Sequence, residues 1–135
     1  MILIDTSVWI DFLNGRNTPY VKAVEALVKK REDICICGVV LTEVLQGIRK
    51  EAEYLKTKVV LSELIFLPMT QDTFYLAADI YRDCRARGIT ISNPTDCMIA
   101  AACIQYDVKL LHNDKDFDLI SSQFNLQIAE VYKKQ

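Results

Sequence analysis

From Met98 to Ile104 the chain reads Met-Ile-Ala-Ala-Ala-Cys-Ile, a run with no polar side chain. Asn93-Pro94 ahead of it is a helix start, with a side-chain cap followed by a residue already set for the first turn. The segment Thr95 to Tyr106 therefore reads as a helix that is apolar all round, and such a helix belongs in the interior. An interior helix needs other layers to cover it. Four short apolar runs supply them, at Met1–Ile4, Ile34–Cys37, Ile65–Pro68 and Val108–Leu111, each consistent with a buried strand. Between them lie helical patterns. Thr6–Leu13 carries apolar residues at 8, 9, 12 and 13, and Thr18-Pro19 opens a segment running to Lys29-Lys30-Arg31. Val39–Ile48 keeps Val40, Leu41, Val44, Leu45 and Ile48 on one face, and Thr70–Arg87 is amphipathic up to Gly88. Phe117–Ile120 is helical, Leu126–Ala129 is a fifth strand, and Glu51–Lys58 is a charged stretch leading into Val59–Leu64. Strands alternating with helices imply parallel pairing through crossovers, with helices over both faces. The expected fold is α/β, a three-layer α/β/α sandwich around a mainly parallel sheet of about five strands.

The chain has 135 residues, the size of one domain, and its four Gly and three Pro mark no linker, so residues 1–135 are expected to form a single domain. The N-terminal apolar run lacks a basic region and meets an acid at Asp5, unlike a secretory leader. No run approaches the ~20 apolar residues of a membrane span, and a cytoplasmic location is expected. Five cysteines without a C-x-x-C pair and a lone histidine, His112, do not make a zinc site. The cysteines read as small buried hydrophobes.

In parallel α/β sheets, sites form beyond the carboxyl ends of the strands. Asp5 ends the first strand. Asp114 lies just past the fourth, Glu43 sits about one turn into the helix after the second, and Asp96 is in the first turn of the interior helix. Hard ions such as Mg²⁺ and Mn²⁺ prefer this oxygen-rich donor chemistry. Each acid also has a plainer reading: Asp5 and Asp114 as helix caps, Asp96 as a first-turn acid complementing the helix dipole, Glu43 as a solvated rim residue, and Asp116 and Asp118 as solvated neighbours of Asp114. Net charge is −2. Setting four of the 18 acids aside leaves 16 bases against 14, so charge neither excludes nor favours a nucleic-acid partner. The glycines form no phosphate-binding loop, and one His without G-x-S-x-G argues against a hydrolase triad.

Four blocks in order resemble the PIN-domain family, specifically its VapC-type toxin ribonucleases. They are Ile4-Asp5-Thr6-Ser7-Val8-Trp9, Thr42-Glu43-Val44-Leu45-Gln46-Gly47-Ile48, Asp96-Cys97-Met98-Ile99-Ala100-Ala101 and Leu111-His112-Asn113-Asp114-Lys115-Asp116-Phe117, with Arg87-Gly88-Ile89-Thr90-Ile91-Ser92 before the third. The resemblance implies RNA cleavage dependent on Mg²⁺ or Mn²⁺. It assigns the metal to Asp5, Glu43, Asp96 and Asp114, with support from Thr6 and from Asp116 through water. It also implies a VapB-type antitoxin and a homodimer. Arg82, Arg85 and Arg87 are candidates for contact with RNA or antitoxin, against a solvated helix face. His112 departs from the Thr or Ser common at that position, which leaves open what orients Asp114. Two rival functions are a receiver-like or phosphotransfer Mg²⁺-binding domain and a non-catalytic PIN-like interaction module. The third strand ends Leu67-Pro68-Met69, without the acceptor Asp a receiver needs.

Overall fold

The computed structural model describes residues 1–133. Its elements are β1 (Ile2–Ile4), α1 (Thr6–Leu13), α2 (Pro19–Lys29), β2 (Ile34–Cys37), α3 (Gly38–Gln46), α4 (Glu51–Ser62), β3 (Ile65–Leu67), α5 (Gln71–Ala86), α6 (Pro94–Tyr106), β4 (Lys109–Leu111) and α7 (Lys115–Ser121). The strands form one sheet in the order β3-β2-β1-β4. All pairs are parallel, with Leu3 opposite Cys35 on one side and Leu110 on the other. β2 is buried on both faces, as its unbroken apolar run requires.

Caps set several helix starts. Thr18 Oγ1 accepts from the Val21 N–H at 3.1 Å, and Asn93 Oδ1 accepts from the Thr95 N–H at 3.1 Å. α5 closes before Gly88 at φ +78°, a left-handed position that glycine occupies without a Cβ penalty. α6 is the interior helix expected. Ile99, Ala100, Ala101 and Ala102 are fully buried, and the small alanines let α5 and α3 approach closely.

Two expectations are corrected. The fifth strand is not formed: Leu126–Ala129 makes one isolated bridge, Leu110 to Ile128, held by two backbone bonds of 2.9 Å. Of that segment only Leu126 is buried, so a single apolar anchor tethers it and no ladder extends. The charged stretch from Glu51 is instead the start of α4. Its apolar residues Leu55, Val59 and Val60 are exposed, which erases the periodicity that marks a helix in sequence.

The strand order fixes where a site can lie. From β1 the chain winds outward to β2 and β3, then returns to place β4 on the other flank of β1. The order therefore reverses between β1 and β4, and the crevice beyond their carboxyl ends is the topological switch point. A receiver sheet has the order 2-1-3-4-5. This sheet does not.

Candidate active site

Asp5 leaves β1 at that switch point and is 5% exposed. Its backbone caps α1, but its carboxylate makes no cap bond; Oδ2 accepts from Ser7 Oγ at 3.0 Å. Burial pushes the Asp5 carboxyl above the usual range, with the Ser7 hydroxyl opposing. Thr6, the first residue of α1, donates from Oγ1 to Glu43 Oε1 at 2.9 Å. That bond ties the start of α1 to the rim of α3. It fixes Glu43 from a residue adjacent to Asp5.

Asp96 occupies the third position of α6 and is 7% exposed. Burial first, then the charges of Asp5, Asp114, Asp116 and Glu43, raise its carboxyl to about 7. Asp114 does cap α7, accepting from the Asp116 N–H at 2.9 Å. The cap and the cluster coexist, because carboxylate oxygens of Asp96, Asp114 and Asp116 lie within 4.8 Å of one another. Asp116 corrects the solvated reading. It is buried, and its Oδ2 accepts from Ser92 N at 3.1 Å and Ser92 Oγ at 2.8 Å. Asp118 is exposed as expected.

Asp5, Glu43, Asp96, Asp114 and Asp116 thus line one cleft of about 230 Å³, together with Thr6, Ser7 and Ser92. The four acids read from sequence do converge on one edge. Ser7, Ser92 and the burial of Asp116 were not read from sequence. Ser92 had no local signal, since its partner is 24 residues away. Arg82, Arg85 and Arg87 are exposed and line none of this cleft. Arg85 lies over the Tyr81 ring at 5.8 Å, and Arg87 donates to Gln123. Larger hollows exist, one of about 710 Å³ beside Phe66 and Phe74, but its lining is mainly apolar.

Residues 2–122 match the PIN domain family. The chain belongs to the PIN-domain family. It is 35% identical over 133 residues to the ribonuclease VapC11 of Mycobacterium tuberculosis and to a VapC ribonuclease of Mycobacterium bovis, covering 96% of this chain and 98% of each relative. Among solved structures, VapBC2 from Rickettsia felis, bound to a DNA fragment of its promoter, matches with a TM-score of 0.76 at 24% identity, over 96% of this chain and 98% of that one. FitAcB from Neisseria gonorrhoeae matches with a TM-score of 0.72 at 19% identity, over 96% and 97%. These structural likenesses establish the fold.

The chemistry of the cleft bears on whether it suits a divalent cation. Every donor in it is oxygen, the preference of Mg²⁺ and Mn²⁺. No Lys or Arg lines it, and among the described residues the Arg16–Asp11 ion pair at 3.2 Å does not reach it; His112 Nε2, 3.2 Å from Asp118 Oδ1, lies outside it as well. Five carboxyl groups share the cleft without a basic partner. The residues fit a hard cation.

Proposed function

We propose that this chain is a metal-dependent endoribonuclease, the toxin of a toxin–antitoxin pair, cleaving RNA with activated water. The observation that carries the reading is the convergence of Asp5, Glu43, Asp96 and Asp114 in one cleft without basic counter-charge. Ribonuclease-named relatives at 35% identity along nearly the whole chain support it. Mg²⁺, or Mn²⁺ in its place, when bound supplies Lewis acidity toward the phosphate and lowers the pKa of a coordinated water.

The protein's part is to hold ligands in place and supply oxygen donors. Asp5, Glu43, Asp96 and Asp114 are the proposed ligands. Thr6 fixes Glu43 through its hydroxyl, and Asp116, held by Ser92, supports Asp114 and an adjacent water. Asp96, raised to about 7, holds part of its proton near neutral pH, and as a ligand it would be held in the ionised form.

A VapB-type antitoxin and a homodimer complete the reading; the solved VapBC complexes that share this fold support the antitoxin. Arg82, Arg85 and Arg87, exposed outside the cleft, are proposed to contact RNA phosphates or the antitoxin. Among the described residues no helix is long and apolar enough to cross a membrane. We place this activity in the cytoplasm and in one domain spanning 1–135.

The test uses purified, antitoxin-free protein and a mixed RNA pool with Mn²⁺. Asp5→Asn and Asp96→Asn are expected to lower cleavage by about 100- to 1,000-fold or more, the scale of losing one preorganised charge contact, with the fold intact by circular dichroism. Full cleavage in excess chelator, or wild-type rates from either variant, overturns the reading. Sequencing new RNA 5′ ends after a brief expression pulse, wild type against Asp5→Asn, then identifies the RNA.

A further inference from the structure

Behind the acid at the end of β4 stands a buried imidazole. His112 is 7% exposed, and its ring centroid lies 5.1 Å from that of Phe117 in a tilted arrangement. Its Nδ1 accepts the backbone N–H of Asp114 at 3.0 Å. A backbone amide can only donate, so Nδ1 carries no proton and the tautomer is set, with the ring hydrogen on Nε2. Nε2 lies 3.2 Å from Asp118 Oδ1 but is not aligned for a hydrogen bond.

The bond matters because of where it falls. Asp114 precedes α7 as its cap residue, so its N–H has no partner inside that helix. Its carboxylate accepts from the Asp116 N–H, and the Asp116 carboxylate in turn accepts from Ser92. The turn from β4 to α7 is therefore pinned at three points, and His112 holds the point nearest the strand. A ring buried against Phe117 has little room to rotate, so it presents Nδ1 in one direction.

We infer that His112 is a positioning residue, whose Nδ1 holds the Asp114 backbone so that its carboxylate faces Asp96 and Asp116. The inference rests on the reading of Asp114 as a cation ligand. Residues that orient metal ligands usually change metal affinity by about 10–100-fold when altered. The imidazole answers what orients Asp114 in a chain without a hydroxyl at this position.

The experiment has two arms. In uniformly ¹⁵N-labelled wild-type protein without metal, NMR should detect a coupling across the hydrogen bond between the Asp114 amide nitrogen and His112 Nδ1, with the ring proton on Nε2. A protonated Nδ1 and no such coupling overturn the inference. In the second arm, Mn²⁺ binding by calorimetry compares His112→Leu, which removes the acceptor, with His112→Asn, whose side-chain oxygen can take the same N–H. Leu should weaken Mn²⁺ by about 10–100-fold, while kcat at saturating Mn²⁺ stays within about threefold; Asn should restore affinity to within about threefold. A folded Leu variant with wild-type affinity, or an Asn variant that restores nothing, overturns it. If Leu does not fold, the Asn variant and the wild-type coupling decide. If wild-type protein binds no Mn²⁺, the cation reading fails, and the coupling still reports whether His112 holds Asp114.

Discussion

Asp96 and Cys97 are consecutive residues of α6, and they show what the cleft and the core each tolerate. Both side chains are buried, at 7% and 2% exposure, and burial is the first cause of a raised pKa at each. The consequences are opposite. Cys97 is pushed up to about 12, which keeps a thiol in the neutral form it already had. Asp96 is pushed up to about 7, which brings a carboxyl into titration where it would ordinarily be fully ionised. Cys97 belongs to the hydrophobic core, whereas Asp96 points to four other acids at the carboxyl edge. Within one residue, the helix passes from polarity that folding can hide to polarity that folding leaves in conflict. The conflict marks the site, because no Lys or Arg lines the cleft to offset it.

The largest expected effect tests that conflict through pH. Asp96 holds its proton more tightly folded, at about 7, than at its ordinary 3.8. The stabilisation from the extra proton is complete below the lower value and lost as pH rises through about 7, so stability of the metal-free protein falls with pH. At 1.36 kcal/mol per unit, and discounting for coupling among the acids, the loss is about 2–4 kcal/mol between pH 4 and 8. Asp5, also raised, adds in the same direction. Urea unfolding across this range should show the fall, Asp96→Asn should flatten it, and Mn²⁺ should raise Tm more at pH 8 than at pH 5. A metal-free stability unchanged from pH 4 to 8 breaks the comparison at its root.

A smaller effect sharpens the comparison within the cleft. Thr6→Val keeps the shape of the side chain and removes the hydroxyl that Glu43 accepts at 2.9 Å. Cleavage should fall by about tenfold, with Mn²⁺ affinity falling in parallel, since a ligand's orienting partner is lost. An unchanged Mn²⁺ affinity would mean that Glu43 needs no help in reaching its position.

Much of this contrast was readable in the sequence, and the exceptions have physical causes. Thr18-Pro19 and Asn93-Pro94 announced helix starts because caps act locally. The strand-end acids were legible because parallel topology alone carries Asp5 and Asp114 to one edge. Asp116 entered as a supporting residue through the family resemblance, but its burial was not legible, since an acid in the first turn of a short helix reads as solvated and Ser92 is brought to it by tertiary packing. α4 was missed because Leu55, Val59 and Val60 face outward, so hydrophobicity there does not report the interior. His112 was legible only as a departure from Thr or Ser at that position, because its hydrogen bond to the Asp114 backbone depends on a turn that residue identities do not specify.

The smallest effect lies on the thiol side. If the core accepts Cys97 as a neutral hydrophobe, Cys97→Ala should cost about 1 kcal/mol, the loss of one buried sulfur with partial collapse around it. Cleavage should change by less than about threefold, since the thiol contributes packing and not reactivity. The native protein should also resist a thiol reagent until it unfolds, because all five cysteines are buried and unpaired. A Cys97 that reacts rapidly in the folded protein would place a thiolate one residue from Asp96, and the boundary between hidden and conflicting polarity would then not fall between these two residues. Slow labelling that tracks unfolding puts the boundary at the Asp96–Cys97 peptide bond, where α6 leaves the core for the cleft.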